Sequence, residues 1–222
     1  MSTTTIERSV ELPPHLDEFE SIYTSARGDR TRIPWDRGGP STALVNWLNA
    51  VAPSLIRCGA RVIVPGCGLG EDARALMKRG YDVVAFDCSP TAIGWAQKLD
   101  PRSADVYQVA DLFDAPARWR HRFDLVVEIN TIQSLSPELR EDALSALREL
   151  MSPRGRMLVI CRGLVEGEAE ATEGPPWPLR EGELIDAATG AGLAVEGEVS
   201  SFEDEAGGKP VRRMRALFRR AS

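Results

Sequence analysis

From residue 41 onward, short apolar runs alternate with segments whose apolar residues recur every three or four positions, which predicts strands and helices in turn. "STALVNWLNAVA" (41–52) sets Leu44, Val45, Leu48 and Val51 on one helical face, with Ser41 placed to accept the first free N–H groups. Residues 62–64 ("VIV") form a strand, and "EDARALMKRG" (71–80) a helix stopped by Gly80. "DVVAF" (82–86) is the second strand, after which Ser89-Pro90 opens a helix to Leu99 with proline at the tolerated first position. "DVYQVA" (105–110) and "FDLVVEI" (123–129) are the third and fourth strands. Ser136-Pro137 starts a helix with Leu139, Ala143, Leu147 and Leu150 on one side, "GRMLVIC" (155–161) is the fifth strand, and "LREGELIDAATGAG" (179–192) is a helix ending near Gly190. Near-continuous apolar strands, each followed by a helix, indicate a parallel sheet covered on both faces.

The tail breaks this rhythm. "LAVEGEVSSFED" and "VRRMRALFRR", joined through "EAGGKP", read as an antiparallel hairpin that adds to the sheet. Arg213, Arg215 and Arg219 alternate with apolar residues on its last strand, as a solvated face that protects an edge from aggregation would. The chain divides into an N-terminal segment, residues 1–40, and a single domain over 41–222; the first 15 or so residues read as a disordered tail.

Composition narrows the function. A formal charge of −6 argues against nucleic acid as partner, because backbone binding needs a basic face. The cysteines Cys58, Cys67, Cys88 and Cys161 are scattered and form no C-x-x-C pair, which supports neither a metal site nor a disulfide framework and suits the cytoplasm. No apolar run approaches a membrane span, and "MSTTTIERSVELPPH" has neither the basic start nor the apolar stretch of a secretory signal. A small, acidic domain with a charged edge strand reads as a monomer.

The candidate chemistry begins at "RVIVPGCGLGED" (61–72), a buried strand running into a glycine loop. A triphosphate-binding loop needs a lysine after its last glycine, whereas Gly70 is followed by Glu71 and Asp72. The G-x-G-x-G spacing also misses the dinucleotide pattern, and acids at the start of the next helix would repel a pyrophosphate there. A ligand carrying ammonium and sulfonium charges meets no such repulsion. Asp87, ending the second strand, is placed to accept both hydroxyls of a ribose. Asp111, after the third strand, can reach the exocyclic amine of an adenine while Leu112 packs on its ring. These features stand in order at the carboxyl ends of successive parallel strands, the edge where such sheets bind ligands.

On these residues the chain resembles the class I S-adenosylmethionine-dependent methyltransferases, and within them the thiopurine, halide/thiol and tellurite-resistance group of small-molecule enzymes. "IPWDRGGPSTALVNWL" is similar to that group's leading segment, "VPGCGLGED" to its cofactor loop, "FDLVVEINTIQSLSPELR" to its fourth strand and following helix, and "GPPWPL" to the segment after the fifth strand. The resemblance implies a Rossmann-like α/β fold: a mostly parallel seven-stranded sheet with helices on both faces and a C-terminal antiparallel hairpin. It implies S-adenosylmethionine as cofactor, S-adenosylhomocysteine as product, and no metal. Trp35 would pack near the cofactor, Gly66, Cys67 and Gly68 would approach its methionine moiety, Asp87 with neighbouring Cys88 would face the ribose, and Asp111 with Leu112 the adenine. Glu128, Ile129 and Asn130 would line the methyl-donor site. Ile129 and Asn130 stand where relatives often carry an aromatic residue.

Methyl transfer from a sulfonium is governed by alignment and water exclusion, so the 1–40 segment reads as a lid over the cofactor. A thiol, with a free pKa near about 8.5, ionises with little help, whereas an alcohol or amine calls for a base. No catalytic residue is assigned; Glu128, Asp36 and His15 are the groups a base would come from. S-methylation of a small thiol is therefore expected, with O- or N-methylation of a secondary metabolite, or a non-catalytic nucleotide-binding regulator, as alternatives. The "EINT" segment after strand four (128–131) lacks the [N/D]-P-P-[Y/F] run of enzymes that methylate a flipped base.

Overall fold

The computed structural model describes residues 14–164, 174–206 and 209–221. In chain order its main elements are α1 (Pro14–Ala26), α2 (Thr42–Ala50), α3 (Ala52–Leu55), β1 (Arg61–Pro65), α4 (Glu71–Met77), β2 (Asp82–Asp87), α5 (Pro90–Leu99) and β3 (Tyr107–Val109). There follow β4 (Phe123–Ile129), α6 (Arg140–Leu150), β5 (Met151–Arg162), α7 (Glu181–Gly190), β6 (Leu193–Val195), β7 (Ser200–Ala206) and β8 (Lys209–Arg220). One sheet runs in the order β3-β2-β1-β4-β5-β8-β6, with β7 also paired to β8. The first five strands are mutually parallel, and β8 pairs antiparallel with β5, β6 and β7.

Strand alternation divides the core in two. Val62, Val64, Leu125, Val127, Leu158 and Ile160 pack against α2, α4 and α5 on one face. Ile63, Val126, Met157, Val159 and Cys161 pack against α6 and α7 on the other. Because β1 and β4 lie at the centre and are covered on both sides, they are apolar at nearly every position. The strand order reverses between β1 and β4, and their carboxyl ends define the edge where loops from both halves converge.

The expected architecture is present, with differences that have local causes. The sheet has eight strands instead of seven, because the first arm of the hairpin is interrupted over 196–199 and divides into β6 and β7, which flank opposite halves of β8. The turn residues Gly207 and Gly208 lie outside the described residues, as do residues 1–13, where the disordered tail was expected; α1 begins at Pro14. In α2 the buried face is Ala43, Leu44, Trp47 and Leu48, while Val45 and Val51 are only half-buried. Ser41 caps this helix as expected, its hydroxyl oxygen accepting the Leu44 N–H. Pro137–Leu139 forms a separate 3-10 turn before α6, and β3 is shortened to three residues by a 3-10 turn over Pro101–Val106. The basic face of β8 is not uniformly solvated: Arg213 is 6% exposed and Arg215 half-buried, because β7 covers that half of the strand.

Candidate functional site

The glycine loop leaves β1 and turns across the sheet edge. Gly66 and Gly68 have φ of +56° and +51°, a region that L side chains rarely adopt. Space adds a second constraint: a Cβ at Gly66 would stand 2.5 Å from Thr131 Oγ1, and one at Gly68 2.9 Å from the Tyr23 hydroxyl. The loop is thus clamped between the end of β4 and helix α1. It is also tied to β2, since the Cys67 N–H donates to Phe86 O and the Gly68 N–H to Asp87 Oδ2 at 2.8 Å.

Asp87 organises the centre. Its Oδ1 accepts the Ser89 N–H at 3.0 Å, so one buried carboxylate fixes the glycine loop and the start of α5 together. Burial pushes its pKa up, against backbone hydrogen bonds from Ser89 and Gly68 that favour the charged form. Burial and the Asp87 charge also push the Cys67 and Cys88 thiols up, so both stay protonated near neutrality and neither is a nucleophile. At the end of β3, Asp111 Oδ1 accepts the Phe113 N–H, Leu112 is half-buried, and Val109 and Phe113 present exposed apolar surface beside them. Trp35 is 40% exposed, and its indole N–H donates to Tyr23 Oη at 2.9 Å.

The acids after the loop have partners that the sequence did not reveal. Glu71 Oε1 accepts Arg30 Nη2 at 2.7 Å and pairs with Arg74 at 2.9 Å. Asp72 accepts the Ser41 N–H, and burial raises its pKa to about 6. Arg30 in turn forms a two-pronged ion pair with Asp36. These acids hold the 27–41 segment against the glycine-loop helix. A further anchor is Glu20 of α1, whose carboxylate accepts the Ser89 and Thr91 hydroxyls and the Thr91 N–H at the start of α5. Glu20 and Tyr23 were missed in the sequence, although Phe19, Tyr23 and Ala26 carry the helical spacing of a buried face.

At the end of β4 the chain passes from core to edge: Glu128 is fully buried, while Ile129, Asn130 and Thr131 are half-buried. Glu128 Oε1 accepts the N–H groups of Thr131 and Ile132, and Oε2 has no hydrogen-bond partner among the described residues. Burial raises its pKa to about 7 against those bonds. Its carboxyl shapes the turn that follows β4. Beyond it, the Trp177 N–H donates to Gln133 O, and Gln133 Oε1 accepts the Arg162 N–H, fixing the 174–179 segment beside the β4 turn. His121 lies away from this edge, paired with Glu149 and Arg220.

This edge suits S-adenosylmethionine. A Cβ-free loop lets a ligand approach backbone closely, a carboxylate stands at the end of β2, and half-exposed apolar side chains at the end of β3 suit a planar base. Trp35, Gly66, Cys67, Gly68, Asp87, Cys88, Asp111, Leu112 and Ile129 all lie in the loops and strand ends on this edge.

The sheet order, the glycine loop and its anchoring acid define the methyltransferase fold of the S-adenosylmethionine-dependent class. Solved structures agree. One, reported for the conversion of a disulfide bond into a thioacetal group during echinomycin biosynthesis, superposes with a TM-score of 0.74 at 26% identity over 93% of each chain. A 1,6-didemethyltoxoflavin N1-methyltransferase from Burkholderia thailandensis shares the fold with a TM-score of 0.69 at 18% identity, over 93% of this chain and 87% of that one. The chain belongs to the thiopurine S-methyltransferase (TPMT) family, whose profile matches residues 25–218. Thiocyanate methyltransferase 1 of Arabidopsis thaliana is 25% identical over 148 residues, 66% of this chain and 62% of that protein. A thiopurine S-methyltransferase of Acinetobacter baylyi is 23% identical over 178 residues, 71% of this chain and 78% of that one. The match thus spans less than two thirds of the plant relative's length.

Proposed function

We propose that the protein transfers a methyl group from S-adenosylmethionine to the sulfur of a small-molecule thiol. The observation that carries this reading is the state of the carboxylates at the sheet edge. Asp87 is engaged by Gly68 and Ser89, Glu128 by Thr131 and Ile132, and Asp36 by Arg30 and the Gly38 N–H. Asp87 and Asp36 have both oxygens committed to the backbone or to Arg30, and Glu128, with Oε1 held in the turn, is fully buried, so none of the three presents an open carboxylate to an alcohol or amine. A thiol needs no such base. The names of the related proteins, which speak of thiocyanate, thiol and thiopurine methylation, and the sulfur chemistry of the echinomycin structure support the same acceptor atom.

When bound, S-adenosylmethionine supplies a methyl group on a sulfonium, which a thiolate takes up as a thioether, leaving S-adenosylhomocysteine. Gly66, Cys67 and Gly68 would hold the methionine end, Asp87 and Cys88 the ribose, Asp111 and Leu112 the adenine, and Glu128 and Ile129 the donor side through the turn that Glu128 fixes. Trp35, positioned by Tyr23, would cover the cofactor. The segment up to residue 40 acts as the lid, held by Glu20 on α5 and Arg30 on α4, and it excludes water so that alignment alone accelerates the transfer.

The test is mass spectrometry of products from a mixed panel of small thiols, phenols and amines incubated with the protein and S-adenosylmethionine. Methyl thioethers alone are expected. Methylated phenols or amines would overturn the sulfur assignment, and no product with cofactor bound would favour a binding regulator.

A further inference from the structure

We propose that the end of the sheet opposite the glycine loop docks an acidic protein through its arginines. The seven residues of β4 set this end roughly 20 Å from the loops that converge at the cofactor edge. Four stretches of the chain meet here: "RCGAR" (57–61), "RWRHRFD" (118–124), "RELMSPRGR" (148–156) and "RR" (219–220). They carry ten arginines against two acids, on a chain whose formal charge is −6. A positive end on a negative molecule suits a partner surface of opposite sign.

Contacts join the four stretches into one surface. Asp124 accepts the Arg57 guanidinium and the Arg61 N–H, both at 3.0 Å. The His121 and Arg122 N–H groups donate to Glu149 O and Leu150 O at the end of α6. Arg220 Nη2 donates to Arg148 O and Met151 O and meets the His121 ring at 2.9 Å. In the β5–β8 ladder Arg156 stands opposite Arg219. Gly155 lies against the start of β4, where an added Cβ would stand 2.6 Å from Phe123 O.

Part of this charge serves the fold. Arg220 satisfies carbonyls at the end of α6, where a helix carries partial negative charge. Arg156 holds Glu196 with two bonds of 2.8 Å, Arg57 pairs with Asp124, and Arg61 with Asp82. The remainder is not balanced. Arg120, Arg122 and Arg154 are exposed and make no ion pair among the described residues. Repulsion already acts within the group: burial and the neighbouring Arg148 charge draw the Arg220 pKa down, against the attraction of Glu149. The backbone presents the spare cations on a pinned turn. His121 takes a φ of +57°, uncommon for a residue with a side chain, and its two N–H bonds with Arg122 to the end of α6 fix the tip that carries Arg120 and Arg122. Groups held in place before binding lose less entropy on it.

The chemistry selects the kind of partner. A guanidinium takes a carboxylate through two parallel hydrogen bonds. Asp124 and Glu149 interrupt the positive field, so it fits spaced carboxylates better than the continuous charge of a phosphate backbone or an anionic lipid surface. The net charge of the chain opposes approach to either polyanion. Among the described residues the exposed large apolar side chains, Trp35, Leu99, Val109 and Phe113, lie outside the four stretches, so this end offers no wedge for a bilayer. A protein docked here leaves the cofactor edge open.

The experiment titrates the full chain against four labelled probes by fluorescence anisotropy or co-sedimentation. They are a synthetic helical peptide with glutamates at i, i+4 along one face, a scrambled peptide of equal charge, vesicles of phosphatidylcholine and phosphatidylserine in equal parts, and duplex DNA. The ordered peptide should bind saturably and more tightly than the other three, with affinity falling as salt is added. The variant Arg120→Lys, Arg122→Lys, Arg154→Lys keeps every charge but not the paired bonds, so its affinity for the ordered peptide should fall by about tenfold or more. Arg120→Glu, Arg122→Glu, Arg154→Glu should abolish binding. All three positions are exposed, and affinity for S-adenosylhomocysteine should stay unchanged in both variants.

No binding of the ordered peptide, equal affinity for the scrambled one, or a lysine variant that binds like the wild-type protein would overturn the proposal. Tighter binding of vesicles or DNA would overturn it in favour of a lipid or nucleic-acid surface. Self-association of the wild-type protein in sedimentation, abolished in the glutamate variant, would do so in favour of a second copy of the chain. None of these results depends on which acceptor is methylated.

Discussion

The carboxyl of Glu128 sits where β4 leaves the core, and its environment makes a pH signature. Burial raises its pKa from 4.5 to about 7, so the folded state holds this proton more tightly than the unfolded chain does. Its contribution to stability is therefore full below the unfolded value and is lost as pH rises toward about 7, a loss on the order of 3 kcal/mol for a shift of this size. Asp72 acts in the same direction up to about pH 6. Glu128→Gln keeps an oxygen for Thr131 and Ile132 without the charge. In denaturant titrations its stability should stay level between about pH 6 and 7, where the wild-type protein weakens. An unchanged slope would show that Glu128 does not hold its proton there. Asp87 makes a second residue-scale prediction. Asp87→Ala leaves the buried N–H groups of Gly68 and Ser89 without their acceptor, a cost of roughly 1–3 kcal/mol each. Thermal unfolding should fall accordingly, and affinity for S-adenosylhomocysteine by more than about tenfold.

Residues whose part is local were legible in the sequence. The glycine spacing and the acid after β2 are encoded within a few positions, because backbone conformation and strand ends demand particular residue types there. Residues whose part depends on distant partners were not. Glu71 and Asp72 read as a barrier to pyrophosphate, and the structure shows them holding Arg30 and the Ser41 N–H. Arg213 read as solvated because alternation gives the faces of a strand without saying which face a later element covers.

Among elements, α1 and the hairpin carry what the strand-helix rhythm did not show. Helix α1 packs Tyr23 and Ala26 against Ile33, Leu69 and Ala92, and Tyr23 meets Trp35 and Trp95 edge-on. Its polar contact with α5 runs through Glu20, whose carboxyl is partly desolvated yet held below the usual range by hydrogen bonds from Ser89, Thr91 and Thr24. Its contribution is present above the ordinary carboxylate pKa and is lost in acid as the pH falls through the lowered value. Glu20→Ala should speed hydrogen exchange of the amides in α1 and weaken S-adenosylhomocysteine binding, while α6, on the opposite face, exchanges as before. Equal protection of α1 in the variant would show that the helix is held by its apolar face alone. The hairpin was foreseen as two arms, and its division at 196–199 follows from "EGEV", where Gly197 takes a φ of +84° and breaks the extended run.

Across the whole molecule, two halves of one sheet meet at β1 and β4, and the segment from α1 to residue 41 contacts both. Glu20 and Arg30 tie it to α5 and α4, and Arg37 ties it through Asp204 to the hairpin. The central claim is that the glycine loop and lid together hold S-adenosylmethionine and not a dinucleotide. Calorimetric titration of the full chain with S-adenosylhomocysteine, and separately with NAD and NADP, tests it most directly. The account expects saturable one-to-one binding of S-adenosylhomocysteine, weakened in Asp87→Ala and Glu20→Ala, with no heat from either dinucleotide. Binding of a dinucleotide at this loop, or S-adenosylhomocysteine binding indifferent to both substitutions, would contradict it.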